Sequence, residues 1–195
     1  MVLDGFARTT PGARLCFIPD PDDHPEIAAI TAAGGEVLCK MKGNYAAKVN
    51  TAIRMTEEPL IFLGADDLIP GEGWLEKAVV HMTDGVEVVG VNDMIRRGRA
   101  HATHFLMTRH YAKLPTITDE PGPLCELYDH SCVDDELIAT AQYRNAYAYA
   151  EDARVTHLHP DNGTAVIDDT YRKGRRNLRD DRRLWKARKT WYLGL

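Results

Sequence analysis

Apolar positions along this chain follow two spacings. Runs of strand length stand at residues 14–18, 36–39, 59–63, 86–91 and 102–107, and a shorter one falls within 152–159. Between them the spacing turns helical. Residues 26–33 are rich in Ala and Ile and stop at Gly34-Gly35. Residues 44–55 place Tyr45, Val49, Ala52 and Ile53 at helical intervals. Pro70-Gly71-Glu72-Gly73 opens a helix whose Trp74, Leu75, Ala78, Val79 and Met82 share a face. Residues 135–146 form another helix, and the Arg-rich C-terminal stretch reads as one long final helix. The first six residues look like the end of a helix. Pro19-Asp20-Pro21-Asp22-Asp23 must be a loop, as must 115–133 with Pro115, Pro121, Gly122 and Pro123.

Strand and helix in alternation predict an α/β fold, a mostly parallel sheet with helices on both faces. Such sheets bind ligands beyond the carboxyl ends of their strands. At 195 residues one domain is expected, over 1–165, with a basic helical extension over 166–195 packed on it. A chain 44% apolar and 27% charged is neither disordered nor a small disulfide scaffold. No apolar run approaches the ~20 residues that span a bilayer. Cys16, Cys39, Cys125 and Cys132 form no C-x-x-C pair and read as reduced thiols. With no basic-then-apolar leader visible, a cytoplasmic setting is the expectation.

Charge is unevenly placed. Residues 172–189 carry ten basic and two acidic side chains, +8, which leaves −13 on the remainder of a −5 chain. Leu178, Trp185 and Tyr192 recur every seven residues there, with Leu184 and Trp191 beside the last two, a packing stripe. The opposite, arginine-bearing face suits an anionic acceptor, a membrane surface or nucleic acid.

Three acidic clusters fall near strand or segment ends: Asp20/Asp22/Asp23, Asp66/Asp67 and Asp134/Asp135. Each has a structural reading, because Asp is common in turns and at helix N-caps. The central pair is the most informative. An apolar strand delivers two adjacent carboxylates into a loop, and unpaired carboxylates are costly to bury. Mg²⁺ or Mn²⁺ shared with phosphate oxygens removes that cost and neutralises a diphosphate leaving group. A nucleotide-diphospho-sugar meets this demand.

Gly43-Asn-Tyr-Ala-Ala-Lys48-Val-Asn50-Thr-Ala-Ile53, then Pro59-Leu-Ile-Phe-Leu-Gly-Ala-Asp66-Asp67-Leu-Ile-Pro70 and Trp74-Leu75, resembles the family 2 glycosyltransferases of GT-A fold. So do Val133-Asp134-Asp135-Glu136-Leu137 and Val155-Thr-His157-Leu-His159. The resemblance implies the GT-A, nucleotide-diphospho-sugar transferase fold and metal-dependent, inverting sugar transfer to a hydroxyl acceptor. It implies that Asp20 or Asp22 contacts the base or ribose and that Lys48 and Asn50 lie beside the nucleotide. Asn50 reads equally as a buried amide tying helix to strand. Asp66 and Asp67 would hold metal and sugar nucleotide, with His157 completing the Mn²⁺ or Mg²⁺ site. Asp135 would be the general base, with Asp134 as second choice.

Two departures stand out. The family usually has Asp where this chain has Gly64, and its first strand has no counterpart here. The expectation is an N-terminally truncated copy, with weakened nucleotide affinity or a homodimer covering the open edge. Alternatives of other classes are an inactive sugar-nucleotide-binding protein, a nucleotidyltransferase, and a nucleic-acid-binding module built on the tail. The acceptor stays open between an anionic polymer, a glycan, a protein and DNA.

Overall fold

The computed structural model describes residues 2–95, 101–118, 120–167 and 169–193. Helix α1 (Val2–Thr9) leads to β1 (Cys16–Phe17), α2 (His24–Ala32), β2 (Glu36–Val37) and α3 (Tyr45–Met55). Then come β3 (Leu60–Leu63), β4 (Leu68–Pro70), α4 (Trp74–Val79), β5 (Val88–Asn92), β6 (Phe105–Thr108) and α5 (Arg109–Ala112). Helix α6 (Val133–Tyr143), β7 (Tyr147–His157), a 3₁₀ turn at Pro160–Asn162, α7 (Asp169–Gly174), α8 (Leu178–Arg188) and α9 (Thr190–Leu193) complete the order.

Period-2 alternation builds the layers. Val88, Phe105 and Met107 enter one cluster with Ala46 and Ile53 of α3 and Leu137, Ile138 and Ala141 of α6. Their neighbours Val89, Val91 and Leu106 enter the opposite cluster with Phe6, Trp74 and Ala78 of α1 and α4. Each strand is apolar on both sides because helices cover both faces, as the sequence predicts.

The sheet itself corrects an expectation. Among the described residues the main sheet runs β3-β6-β5-β7-β4, and only β5 and β7 are parallel in it. The pairs β3–β6, β5–β6 and β4–β7 are antiparallel. Apolar runs announce strands but not their direction, so a mixed sheet replaces the mostly parallel one. Strands β1 and β2 form a separate parallel pair. Arg14 ties that pair to the main sheet, gripping Glu36 through two hydrogen bonds of 2.9 and 2.7 Å and Glu58 through one of 2.8 Å.

The long final helix is also corrected. It is α7, α8 and α9, with turns at 175–177 and at Lys189. Leu184 and Trp185 pack on the α3/α6 cluster as the stripe predicts, whereas Trp191 is exposed. The side chain of Tyr192 lies outside those described. Helix α6 stops before residue 146 because Asn145 turns into the left-handed region at φ 54°.

Local chemistry fixes the helices that carry the site. Asn44 caps α3 by accepting from Ala47 N at 2.9 Å, while its amide donates to the Glu126 and Tyr128 carbonyls. Helix α6 starts after Cys132, held at φ 68°. Three backbone N–H groups of the preceding turn, from Asp129, His130 and Ser131, all donate to the buried Asp181 carboxylate of α8. The C-terminal segment therefore braces the head of α6.

Candidate functional site

Strand β3 ends at Leu63, and the turn through Gly64, Ala65, Asp66 and Asp67 hands the chain to β4. Strand β4 pairs with the last residues of β7, Leu68 opposite His157. A register shift after Val91 moves β7's partner from Ala150 to Arg154, so its end swings across to β4. That places the His157 ring against Asp67, Nε2 to Oδ2 at 3.1 Å. The backbone supports the pair: Leu158 N donates to the Asp67 carbonyl at 2.9 Å and His157 N to the Asp93 carbonyl at 3.1 Å.

At its other nitrogen, Nδ1, His157 meets His104 Nε2 at 3.4 Å. Burial first, then the charge of His157, lowers His104 to about 4, so this ring is neutral at ordinary pH. A neutral imidazole at Nδ1 leaves His157 Nε2 for an anionic or cationic partner. Burial acts to raise the Asp67 carboxyl, but the hydrogen bond and charge of His157, with His104, outweigh it and hold Asp67 below the usual carboxylate range. Its second oxygen, Oδ1, is buried and has no hydrogen-bond partner among the described residues.

An orphaned carboxylate oxygen beside a carboxylate–imidazole pair fits Mn²⁺ or Mg²⁺. Among the described residues no three His, Cys, Asp or Glu side chains gather into a metal cluster. A metal held by these two side chains would take its remaining ligands from phosphate oxygens and water.

The second cluster lies at the head of α6. Asp134 and Asp135 stand in its first turn, and His101 lies between them, Nε2 at 3.1 Å from Asp134 Oδ2 and Nδ1 at 3.7 Å from Asp135 Oδ1. His101 and His104 are three residues apart on the segment entering β6. Their Cα atoms are thus within ~10 Å, and one stretch of chain carries both the Asp67–His157 centre and the Asp134–Asp135 pair.

The third group is formed by α2, α3 and the loop before them. Lys48 Nζ lies 2.6 Å from Asp20 Oδ1. Glu26 is raised by burial first, then by the charges of Asp66 and Asp23, so the exposed Asp66 faces the same region as Asp20 and Lys48. Asp22 stands apart, exposed and paired with Lys42 at 2.8 Å. Asn50 is also apart from this group. It is 1% exposed, its amide nitrogen donates to the Leu124 carbonyl and Glu126 Oε1, and its oxygen accepts from Leu124 N. Of the two readings of Asn50, the buried tie is the one the geometry shows, and its partner is the 124–126 loop rather than a strand.

His101, His104 and Glu26 carry no motif in the sequence. Their spacing within His101-Ala-Thr-His104, just before β6, matches no metal or catalytic pattern and is silent in the sequence. His159 does not touch Asp67. Its ring packs edge-on between His157 and Tyr171, and its Nδ1 accepts from Asp161 N at 3.1 Å.

No protein-family model and no curated protein matches the chain. Solved structures do. Glucosyl-3-phosphoglycerate synthase from Mycobacterium tuberculosis, with Mn²⁺, UDP and phosphoglyceric acid, superposes with TM-score 0.56 and 17% identity over 81% of this chain and 65% of that one. The same enzyme with Mn²⁺, UDP-glucose and phosphoglyceric acid gives TM-score 0.57 at 17% identity, covering 81% and 66%. A further mycobacterial protein gives 0.53 at 16% identity, covering 75% and 57%. The chain thus spans about two thirds of the length of the first of these structures. The fold of this chain is the mixed α/β, GT-A glycosyltransferase fold of these neighbours.

Proposed function

We propose that this chain is a metal-dependent, inverting glycosyltransferase, which transfers a sugar from a nucleotide-diphospho-sugar to a hydroxyl acceptor. The observation that carries the reading is Asp67, with one oxygen on His157 and the other buried and unpartnered. The superposing enzyme holds Mn²⁺, UDP and UDP-glucose, which supports the same donor class here.

Asp67 and His157 would hold Mn²⁺ or Mg²⁺, and the ion would neutralise charge on the departing diphosphate. Asp66 supplies a carboxylate on the open side of the turn. Lys48, with Asp20 beside it, is placed to meet the nucleotide. Asp135, the more exposed of the α6 pair, takes the proton as the acceptor oxygen bonds to the anomeric carbon. The electron pair of the broken C–O bond leaves with the nucleoside diphosphate. The anomeric configuration of the product, read by NMR, tests the inverting course that the family resemblance implies.

Strands β1 and β3 each have one strand partner among the described residues, β2 and β6. A second copy covering those edges is the form of homodimer we propose, and sedimentation tests it. Among the described residues no helix is long and apolar enough to cross a membrane.

The test is calorimetric titration of UDP and UDP-glucose with and without Mn²⁺, followed by UDP release with phosphoglyceric acid as first acceptor probe. Mn²⁺-dependent binding that vanishes in Asp67→Ala and His157→Ala is expected. Absence of such binding overturns the reading. Binding without UDP release to any acceptor or to water makes the chain a sugar-nucleotide-binding protein instead.

A further inference from the structure

We propose that His101 is the positioning residue of the Asp134–Asp135 pair, an imidazole wedged between the two carboxylates that sets their orientation and keeps the acceptor's proton within the trio. The inference rests on the reading of that pair as the base of sugar transfer. Its carrier is geometry. One ring nitrogen lies 3.1 Å from Asp134 Oδ2 and the other 3.7 Å from Asp135 Oδ1, hydrogen-bond and ion-pair distances respectively. Exposure rises across the trio, 15% for the His101 side chain, 24% for Asp134 and 36% for Asp135. The ring is thus the inner member and Asp135 the outer one.

Adjacent carboxylates repel each other, and without a partner each is free to turn toward water. A ring with a proton on both nitrogens matches both. A ring with a single proton matches one and presents a lone pair to the other, which disfavours the doubly ionised pair. His101 therefore couples the charge state of the pair to its geometry. In transfer, the acceptor O–H bond breaks as its oxygen bonds to the anomeric carbon, and the proton goes to Asp135. The sugar–diphosphate C–O bond breaks, and its electron pair leaves with the nucleoside diphosphate. The His101 ring stays on Asp134 throughout, so Asp134 does not compete for the proton.

Other groups face this trio. Tyr45 of α3 has a buried hydroxyl that burial first, and then the Asp134 charge, pushes up. Cys132, just before α6, is pushed up to about 12 by burial, then by Asp135, Asp134 and Asp181, with Arg182 opposing. Neither of these is a nitrogen donor, and His101 meets both carboxylates of the pair.

The experiment compares the full chain with His101→Gln and, against a folding failure of that variant, His101→Asn, with circular dichroism confirming each fold. Calorimetry with Mn²⁺ and UDP reads donor binding. UDP release from UDP-glucose, with water as acceptor, is followed from pH 5 to 9. Both variants should bind Mn²⁺–UDP as the parent does and lose kcat on the order of 10²-fold. They should also lose one ionisation from the pH profile, which a purely structural residue would not remove. Wild-type kcat and profile in either folded variant overturn the proposal. A second measurement is independent of turnover. The ¹H–¹³C resonance of the His101 ring should move in Asp134→Asn and in Asp135→Asn. A parent that binds Mn²⁺–UDP but releases nothing defeats the transferase reading, and an unmoved His101 resonance then defeats the contact itself.

Discussion

Arg188 and Glu136 form a bidentate ion pair in the interior, Nε to Oε2 at 2.7 Å and Nη2 to Oε1 at 2.8 Å. Their side chains are 9% and 3% exposed. Tyr128 adds a third hydrogen bond to Glu136 at 2.7 Å, and Arg188 reaches on to Glu120 and Thr118. Glu136 directly follows Asp135 in the first turn of α6. One end of α8 thus grips the helix that carries the candidate base, while Asp181 at its other end grips the turn before it. This arginine of the basic tail binds no outside anion. It is part of the scaffold.

Removing one partner leaves a buried charge uncompensated, which costs ~3–5 kcal/mol. Arg188→Met should lower stability by about that amount, measured by urea unfolding. Arg188→Met with Glu136→Gln should recover part of it, because the buried Glu136 charge is gone while Glu120 still lacks its Arg188 partner. Equal losses in the single and double variants would mean that the pair is not coupled.

Much of this architecture is legible in the sequence because it is periodic. The apolar runs at 59–63, 86–91 and 102–107 become β3, β5 and β6, and the capped period beginning at Asn44 becomes α3. The Asp67–His157 contact follows from motifs that stand 90 residues apart and meet only through the β4–β7 pairing. Strand direction was not legible, since run length carries no sign. Nor was Asn50's true partner, because loop 124–126 has no period to place it beside α3. The single long final helix failed because the continuous basic run was read across Gly174 and Asn177, the two helix-stop residues that bound the turn at 175–177.

Asp135 and Asp67 should separate in function. Asp135→Asn keeps the shape of the side chain but accepts no proton, so Mn²⁺–UDP affinity should persist while transfer falls by roughly 10²–10⁴-fold. Asp134→Asn should fall less. Steady-state UDP release beside calorimetric UDP binding measures both. Full activity in Asp135→Asn would move the base elsewhere.

Gly122 is fixed by Asn50. Its φ of +91° is strained for any side chain, and a Cβ there would come within 2.7 Å of the Asn50 Cγ and Oδ1 atoms. Asn50 cannot yield, because its amide holds Leu124 and Glu126. Gly122→Ala should therefore cost about 1–3 kcal/mol in urea unfolding. Asn50→Ala should weaken the same loop, seen as faster amide exchange at Leu124, whose N–H loses its acceptor.

Glu120 gives the fold an acid-sensitive component of known sign. Burial alone raises its carboxyl, but hydrogen bonds from Arg188, Thr116 and Thr118 outweigh it and bring it from an ordinary 4.5 down to about 2. In the unfolded chain the group returns to its ordinary value and binds its proton first. Between those two values the unfolded state holds more protons, so stability is complete above the window and declines as pH falls through it. Glu120→Gln lacks this component at every pH. The variant should be less stable than the parent at pH 7, and the gap should close as pH falls toward 2. Urea midpoints at pH 7, 4, 3 and 2.5 measure the closure, and a gap independent of pH would assign the loss to packing rather than charge. Because Arg188 is shared, protonating Glu120 also removes one of the anions that hold it beside Glu136. Amide exchange in the first turn of α6 should therefore quicken over the same window in the parent and not in the variant.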